Sequence, residues 1–471
     1  MTAADWWWCA IAVSLLLVAT SLPAWLPTVV VALRVRIFAL INGEEGIPVP
    51  GRLVGAEHFK QLYAEPAADG RSRGAALSDL FWYWLAPGPE VHQEHLEPGQ
   101  RYDEVARTTR RTLGRLRKDE WEQLVAGYAR ETLDRLDALP NRDLMSWLGG
   151  DRTRMVRLRD AMMPLWASVY YELVFAEPCP PQIRDLIAAN ADDVVSALKC
   201  TRLRHMARRD RLTRYLRGRI EAGTVPYGLP DCLTEAEQAF YLQGTYFNTA
   251  VVQMSEAMAH LLMAVAARPE IQQRLRTEPQ DVSYLDRVID ETLRVYPLFG
   301  VAHRITSDEI ALGEASIPGG SVLLFNYPAY HHSGPGDAER FDPERWLRED
   351  AALIHHIPFG VSANRPCPAR GIAPLTMRVV AAEVLRRFAL SSSAVHTRSL
   401  PNRGPCLLTP LVPGRAPSCR PTARLALLRL RDRWEDVWRS LAQLVFGTYM
   451  VWDARRLRLC RNYFAAQEAD Q

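Results

Sequence analysis

Between Arg52 and Pro410 apolar residues recur mostly every three or four positions, the spacing that lays them along one face of a helix. Short helices are predicted over 53–64 and 74–85. A long arginine-rich one follows over 102–139, broken near Arg117-Lys-Asp, and another over 151–175. The chain turns at Pro178-Cys-Pro-Pro181, then reads as helix over 183–223, where the basic run from Arg202 to Arg219 is by default a solvated face. Pro230 introduces the longest helix, with Thr234 as N-cap, acids in the first turn and an apolar pattern lasting to Ala267. Pro269 starts the next element. Only around Arg304-Ile-Thr-Ser-Asp and from Ala315 to Phe325 does the pattern change, to strands of a small sheet with a Pro-Gly turn. The expected fold is mainly α with a small accessory β-sheet.

The two ends differ from this body. No charge occurs from Trp6 to Leu33, a run long enough to cross a bilayer as helix. Trp6, Trp7 and Trp8 would sit at one interface and Arg34 and Arg36 beyond the other, which places the rest of the chain in the cytoplasm. Pro23 and Pro27 interrupt the run, so a kinked span and a monotopic anchor are both open. A cleaved signal peptide fits less well, because the only charge before the run is Asp5. Ile47-Pro-Val-Pro-Gly51 is a stiff spacer. Past Pro410, Arg415 to Pro421 reads as a linker, and Thr422 to about Phe464 as one or two amphipathic helices carrying Trp434, Trp438, Phe446, Tyr449 and Trp452. A hairpin folded back on the body is the expected arrangement; a membrane-surface or partner-docking element is the alternative. The division is 1–46, anchor and linker; 47–412, catalytic domain; 413–471, C-terminal extension.

Composition adds little. With 471 residues, 48% of them hydrophobic, a large core is affordable, and a net charge of +3 gives no reason to expect nucleic acid as partner. The eight cysteines are scattered without a CxxC pair, which argues against a disulfide scaffold or a zinc site.

The chemistry gathers in Ile357-Pro-Phe-Gly-Val-Ser-Ala-Asn-Arg-Pro-Cys-Pro-Ala-Arg-Gly-Ile-Ala373. Proline and glycine make its first part loop, and a helix is expected from Pro368, whose missing N–H suits a first helical position. Cys367 would then face free N–H groups that favour its thiolate, the metal-binding form. Arg365 is a permanent cation suited to a carboxylate. Upstream, Glu291 and Arg294 share a helix face, and Arg345 in Phe341-Asp-Pro-Glu-Arg-Trp346 stands ready to share the carboxylate.

A Glu-x-x-Arg helix, a Pro-Glu-Arg segment and a Phe-Gly…Arg-x-Cys loop, in this order, resemble the cytochrome P450 family over roughly Arg52 to Pro410. The resemblance implies a triangular helical fold holding haem b between the long helix and the helix after Cys367, with the Cys367 thiolate as axial iron ligand. By the same resemblance Arg365 and Arg304 hold the propionates, and Phe359 packs near the thiolate. Glu291, Arg294 and Arg345 form a structural ion-pair triad. The implied reaction is O2- and NAD(P)H-dependent monooxygenation of a small, largely apolar specialised metabolite. Electrons would come from a separate ferredoxin and ferredoxin reductase, docked near Arg370, Arg378, Arg386 and Arg387.

Several positions depart from the family. Phe359 lies one residue further from the cysteine, Ala369 replaces a glycine, and the arginine pair of the first long helix is reduced to Arg107, Arg110 and Arg111 as candidates. In the long helix, where the family has an acid followed by threonine, the chain has Val252-Gln253, or Asn248-Thr249 if a turn is inserted; Tyr246 stands at the glycine. Thr249 and Gln253, four apart, share a face toward the haem. This departure motivates two alternatives: a peroxygenase or redox-neutral chemistry at the iron, and a non-catalytic haem-binding relative.

Overall fold

The computed structural model describes residues 3–43, 54–70, 76–88, 91, 95–138, 153–313, 315–348, 350–397, 399–400, 402–412 and 422–469. The expected spacer at Ile47–Gly51 and the linker at Arg415–Pro421 lie outside them.

Helix α1 (Ala3–Asn42) runs unbroken through Pro23 and Pro27. Then come α2 (Ala56–Ala64), α3 (Ala76–Leu85), α4 (Gln100–Leu113) and α5 (Lys118–Ala138), the last two separated at the expected break. The expected helix over 151–175 begins instead as strand β1 (Arg154–Arg157) and turns helical only at α6 (Leu158–Phe175). The reason is distant in sequence: β1 pairs with β7 (Pro405–Pro410), which pairs in turn with β6 (Phe388–Ser391). A strand recruited by a partner some 250 residues away leaves no local periodicity.

The stretch expected as one helix over 183–223 is two, α7 (Pro181–Leu198) and α8 (Met206–Glu221). Its basic run is not wholly solvated. Arg209 is buried, donating to Asp193 at 2.6 Å and to the carbonyls of Trp84 and Ala86. The longest helix starts as expected: Thr234 accepts from the Glu237 N–H and the Glu237 carboxylate accepts from the Thr234 N–H. It comprises α9 (Glu235–Leu242), a π-type stretch over Gln243–Ala250, and α10 (Val251–Ala266). The wide turns are pinned from one side. Thr213 donates to Gln243 at 2.5 Å, and Asn190 donates to Asn248 at 2.5 Å. Asn248 is thereby directed at α7.

Helices α11 (Pro269–Thr277) and α12 (Val282–Val295) lead to β2 (Val301–Ile305), β3 (Ile310–Leu312), β4 (Ala315–Ile317) and β5 (Val322–Asn326), paired as β2–β5 and β3–β4. The short α13 (Tyr327–His331) follows, then α14 (Ala373–Arg387). The expected start at Pro368 is corrected: 368–372 form turns, closed by Arg370 and Ile372 N–H bonds to the Cys367 and Ala369 carbonyls, and Pro374 takes the early helical position instead.

Two hydrophobic cores result. A large one packs α4 to α10 with α12 and α14; a smaller aromatic one joins α2, α13 and the β2–β5 pair through Phe59, Tyr63, Phe325 and Tyr327. The C-terminal segment is one long helix, α15 (Thr422–Leu457), and a short one, α16 (Leu459–Ala469). Both fold back on the body. Tyr83 donates to Asp453 at 2.9 Å, and buried Asp79 of α3 accepts from the Cys460 and Arg461 N–H groups, capping the N-terminal amides of α16. Desolvation of Asp79 raises its pKa, partly countered by those bonds and by Arg461.

Candidate functional site

Where the two cores meet, a cavity of about 1200 Å³, counting space open to solvent, is walled by the π-type stretch and α10 on one side and by the Pro358–Ala369 loop on the other. Cys367 lies on the loop side, half-buried and in no disulfide, and its N–H donates to the Phe359 carbonyl at 3.0 Å. That bond closes the loop on itself. Gly360 lets it close, with φ of 70°; a side chain there would meet the Tyr63 ring at 3.3 Å. Phe359, Arg365, Cys367 and Ala369 all line the cavity, as do Thr249 and Gln253 opposite. Helical spacing thus places both polar residues of the long helix on the cavity face.

Arg365 adopts a left-handed backbone, φ 48°, and its guanidinium stacks on the Tyr102 ring at 4.3 Å. Arg304 is not among the residues lining the cavity. It is buried behind the wall, donating to the carbonyls of Tyr63 (2.8 Å), Ala68 (3.1 Å) and Asn364 (3.4 Å) and stacking on Tyr63. It ties the cysteine loop to α2. Asp69 lies within electrostatic reach of both arginines, though burial raises its pKa overall. Arg107, Arg110 and Arg111 are exposed on the outer face of α4, while Thr109 and Leu113 of that helix reach the cavity.

Glu291, Arg294 and Arg345 come together in a buried cluster. Arg294 grips Glu291 with two bonds (2.7 and 2.9 Å), Arg345 adds a third at 3.1 Å, and the Asp342 N–H a fourth at 2.8 Å. Arg294 also donates to the His331 and Ala338 carbonyls, so the cluster fastens the irregular 331–345 segment to α12.

Sequence spacing gave no sign of the aromatic wall. Tyr170 of α6 lines the cavity, fully buried, within electrostatic reach of Cys367. Tyr246 bonds to Tyr241 (3.1 Å), and Tyr241 to Thr109 (3.0 Å). Thr109 donates its only hydroxyl proton to the Val105 carbonyl at 2.8 Å, so it accepts from Tyr241, and Tyr241 accepts from Tyr246. Burial raises the pKa of both tyrosines, keeping them neutral. No carboxylate stands among the described lining residues, and no cluster of three or more His, Cys, Asp or Glu that could hold a bare metal ion occurs among the described residues.

The arginines expected to greet an electron donor are largely neutralised locally. Arg378 pairs with Asp286 (2.8 Å) and Glu122 (3.7 Å), Arg386 with Glu383, and Arg387 with Asp134; Arg370 donates to Ser362.

A sequence profile described as Cytochrome P450 matches residues 242–415. Among curated proteins, a cyclooctat-9-en-7-ol 5-monooxygenase from Streptomyces melanosporofaciens is 29% identical over 155 residues, 29% of this chain and 34% of that protein. Cytochrome P450 3A2 of Rattus norvegicus is 30% identical over 180 residues, 34% of each. The chain spans about a third of the length of these relatives. Among solved structures, retinoic acid-bound cyanobacterial CYP120A1 superposes with a TM-score of 0.58 at 17% identity, covering 76% of this chain and 88% of that one. A cytochrome P450 OleT variant in complex with arachidonic acid gives 0.61 at 15%, covering 77% and 89%.

Proposed function

We propose that this chain, whose residues 242–415 match the cytochrome P450 profile, is a haem-thiolate monooxygenase of that family acting on a small, largely apolar molecule. The observation that carries this reading is the placement of Cys367 on one wall of the cavity with Thr249 and Gln253 on the other. The residues fit haem b: a soft sulfur ligand, apolar walls for a macrocycle, and the Arg365 cation for a propionate. When bound, haem supplies the activation of dioxygen for insertion of one oxygen atom into substrate, with two electrons from NAD(P)H.

The chain's own residues then have separable tasks. The Cys367 sulfur would hold the iron, and the Phe359–Cys367 backbone bond fixes where the loop presents it. Apolar lining from Leu298, Phe299 and Ala302 receives substrate and keeps water out. Thr249 and Gln253 hold the water that delivers protons; neither side chain ionises, so the proton must come through solvent rather than from an acid. A separate ferredoxin and reductase supply electrons, and α1 keeps the catalytic domain at a membrane on its cytoplasmic side.

A second reading is favoured by one observation, the lack of any carboxylate among the described lining residues: peroxygenase or redox-neutral chemistry at the same iron. The two separate in a turnover assay with purified holoenzyme and a spin-shift-selected substrate. Strict dependence on NAD(P)H, redox partner and O2 supports monooxygenation; turnover with peroxide or with no reductant at all assigns the second reading.

A further inference from the structure

The π-type stretch of the long helix leaves one hydroxyl unserved. Buried threonines and serines elsewhere in this fold return their proton to the carbonyl four residues back: Thr109 to Val105 (2.8 Å), Thr213 to Arg209 (3.1 Å), Ser255 to Val251 (2.6 Å) and Thr292 to Val288 (2.7 Å). Thr245 does not. It stands inside Gln243–Ala250, where the wider turns carry the earlier carbonyls out of α-helical register. Its Oγ1 is buried and has no hydrogen-bond partner among the described residues, and the residue lines the cavity. A buried hydroxyl without a partner is costly, so one at a cavity wall marks a place where a bound molecule supplies the bond.

The rest of the wall says what that molecule is. Thr245, Thr249 and Gln253 follow one another at steps of four, a polar edge on a side otherwise lined by Ala250, Met254 and Ala257. Among the described lining residues no carboxylate is present to receive an ammonium group. The one cation among them, Arg365, is stacked on Tyr102 and already suited to a haem propionate. A threonine hydroxyl both donates and accepts, so it serves an alcohol and a ketone alike. The wall therefore suits a neutral, apolar skeleton bearing one oxygen, held across the cavity from Cys367 and one turn away from Thr249.

We infer that Thr245 is a specificity-determining residue whose hydroxyl binds the oxygen of a neutral alcohol or ketone substrate and so sets which carbon is turned toward the Cys367 side. Asn190 and Thr213, which hold the wide turns from outside, are positioning residues for that hydroxyl. The inference rests on the haem-thiolate reading and narrows its substrate class to neutral, mono-oxygenated apolar molecules.

The test titrates full-length, haem-loaded parent and Thr245→Val protein with cyclododecane, cyclododecanol, cyclododecanone and cyclododecanecarboxylate. Affinity is read from the haem spin shift and, independently, from the rise in melting temperature on binding. The parent should hold the alcohol and the ketone about tenfold more tightly than the hydrocarbon, the worth of one net hydrogen bond, and more tightly than the carboxylate. Thr245→Val should bind cyclododecane as the parent does and lose the preference for oxygen, and Thr245→Ser should restore it. Valine keeps the shape and removes an unpaired hydroxyl, so the ligand-free variant should melt at or above the parent's temperature; a lower one makes Thr245 structural and overturns the inference. So do equal affinities across the set, no binding of any member, or an oxygen preference that survives Thr245→Val. Failure of the underlying reading shows elsewhere, as the absence of a thiolate band in the parent's reduced carbon monoxide spectrum, and the melting-temperature series then still reports whether Thr245 selects oxygenated ligands.

Discussion

At the scale of single residues, Glu291 makes the sharpest structural prediction. It is buried and accepts from two arginines and a backbone amide, so Glu291→Ala strands two cations in the interior. The expected loss is about 3–5 kcal/mol of stability, read from denaturant unfolding, with haem uptake failing as a consequence. Gln253→Leu makes a functional one. With only Thr249 left to hold water, NAD(P)H-driven turnover should fall about a hundredfold while peroxide-driven turnover and the melting temperature stay near the parent's. Equal loss in both modes would remove Gln253 from proton delivery. These residues were legible because their meaning lies in short spacings: three apart for the ion pair, four apart for the cavity face. Arg304 was not. The chain shows a cation on a strand; only the approach of α2 brings the Tyr63 and Ala68 carbonyls to its donors.

At the scale of elements, the long helix was readable at its start and opaque in its middle. The capping box is written in Thr234 and Glu237, and Thr234→Ala should cost about 1 kcal/mol. The π-type turns depend on Asn190 and Thr213, which reach in from other helices, and no periodicity within Gln243–Ala250 announces them. Strand β1 was missed for the same reason, since β7 makes it a strand. The cysteine loop shows an intermediate case: its proline and glycine punctuation was plain, but the helix after it begins five residues later than expected. Asp79 tests how firmly the C-terminal segment is attached. Asp79→Ala removes the cap of α16 and the partner of Arg461, paired at 3.2 Å. It should make the segment after Arg458 protease-sensitive and lower stability by about 2–4 kcal/mol.

At the scale of the molecule, the mainly helical architecture and the order of its parts followed from the sequence, because apolar periodicity reports burial whatever the partner. How the two ends meet, with Arg34 of α1 donating to Gln443 of α15 at 2.8 Å, did not, since nothing in α1 alone names α15 as its neighbour. The whole fold also carries a pH signature. Burial holds His331 and His356 down to about 3 and His396 to about 2. Their folded pKa values lie below the unfolded one, so the stability they contribute is present above pH about 6.5 and is lost as pH falls. Asp290, pushed up to about 6 chiefly by burial and then by Asp286 and Glu291, acts the other way and offsets part of the loss. Unfolding free energy should therefore drop between pH 6.5 and 5, and His396→Gln should flatten the drop by up to one proton's share. The central claim, however, concerns one sulfur. The measurement that tests it most directly is the reduced carbon monoxide difference spectrum of haem-loaded parent and Cys367→Ser protein. The account predicts the red-shifted Soret band of thiolate ligation in the parent and its loss in the variant. The same thiolate band in both would contradict it.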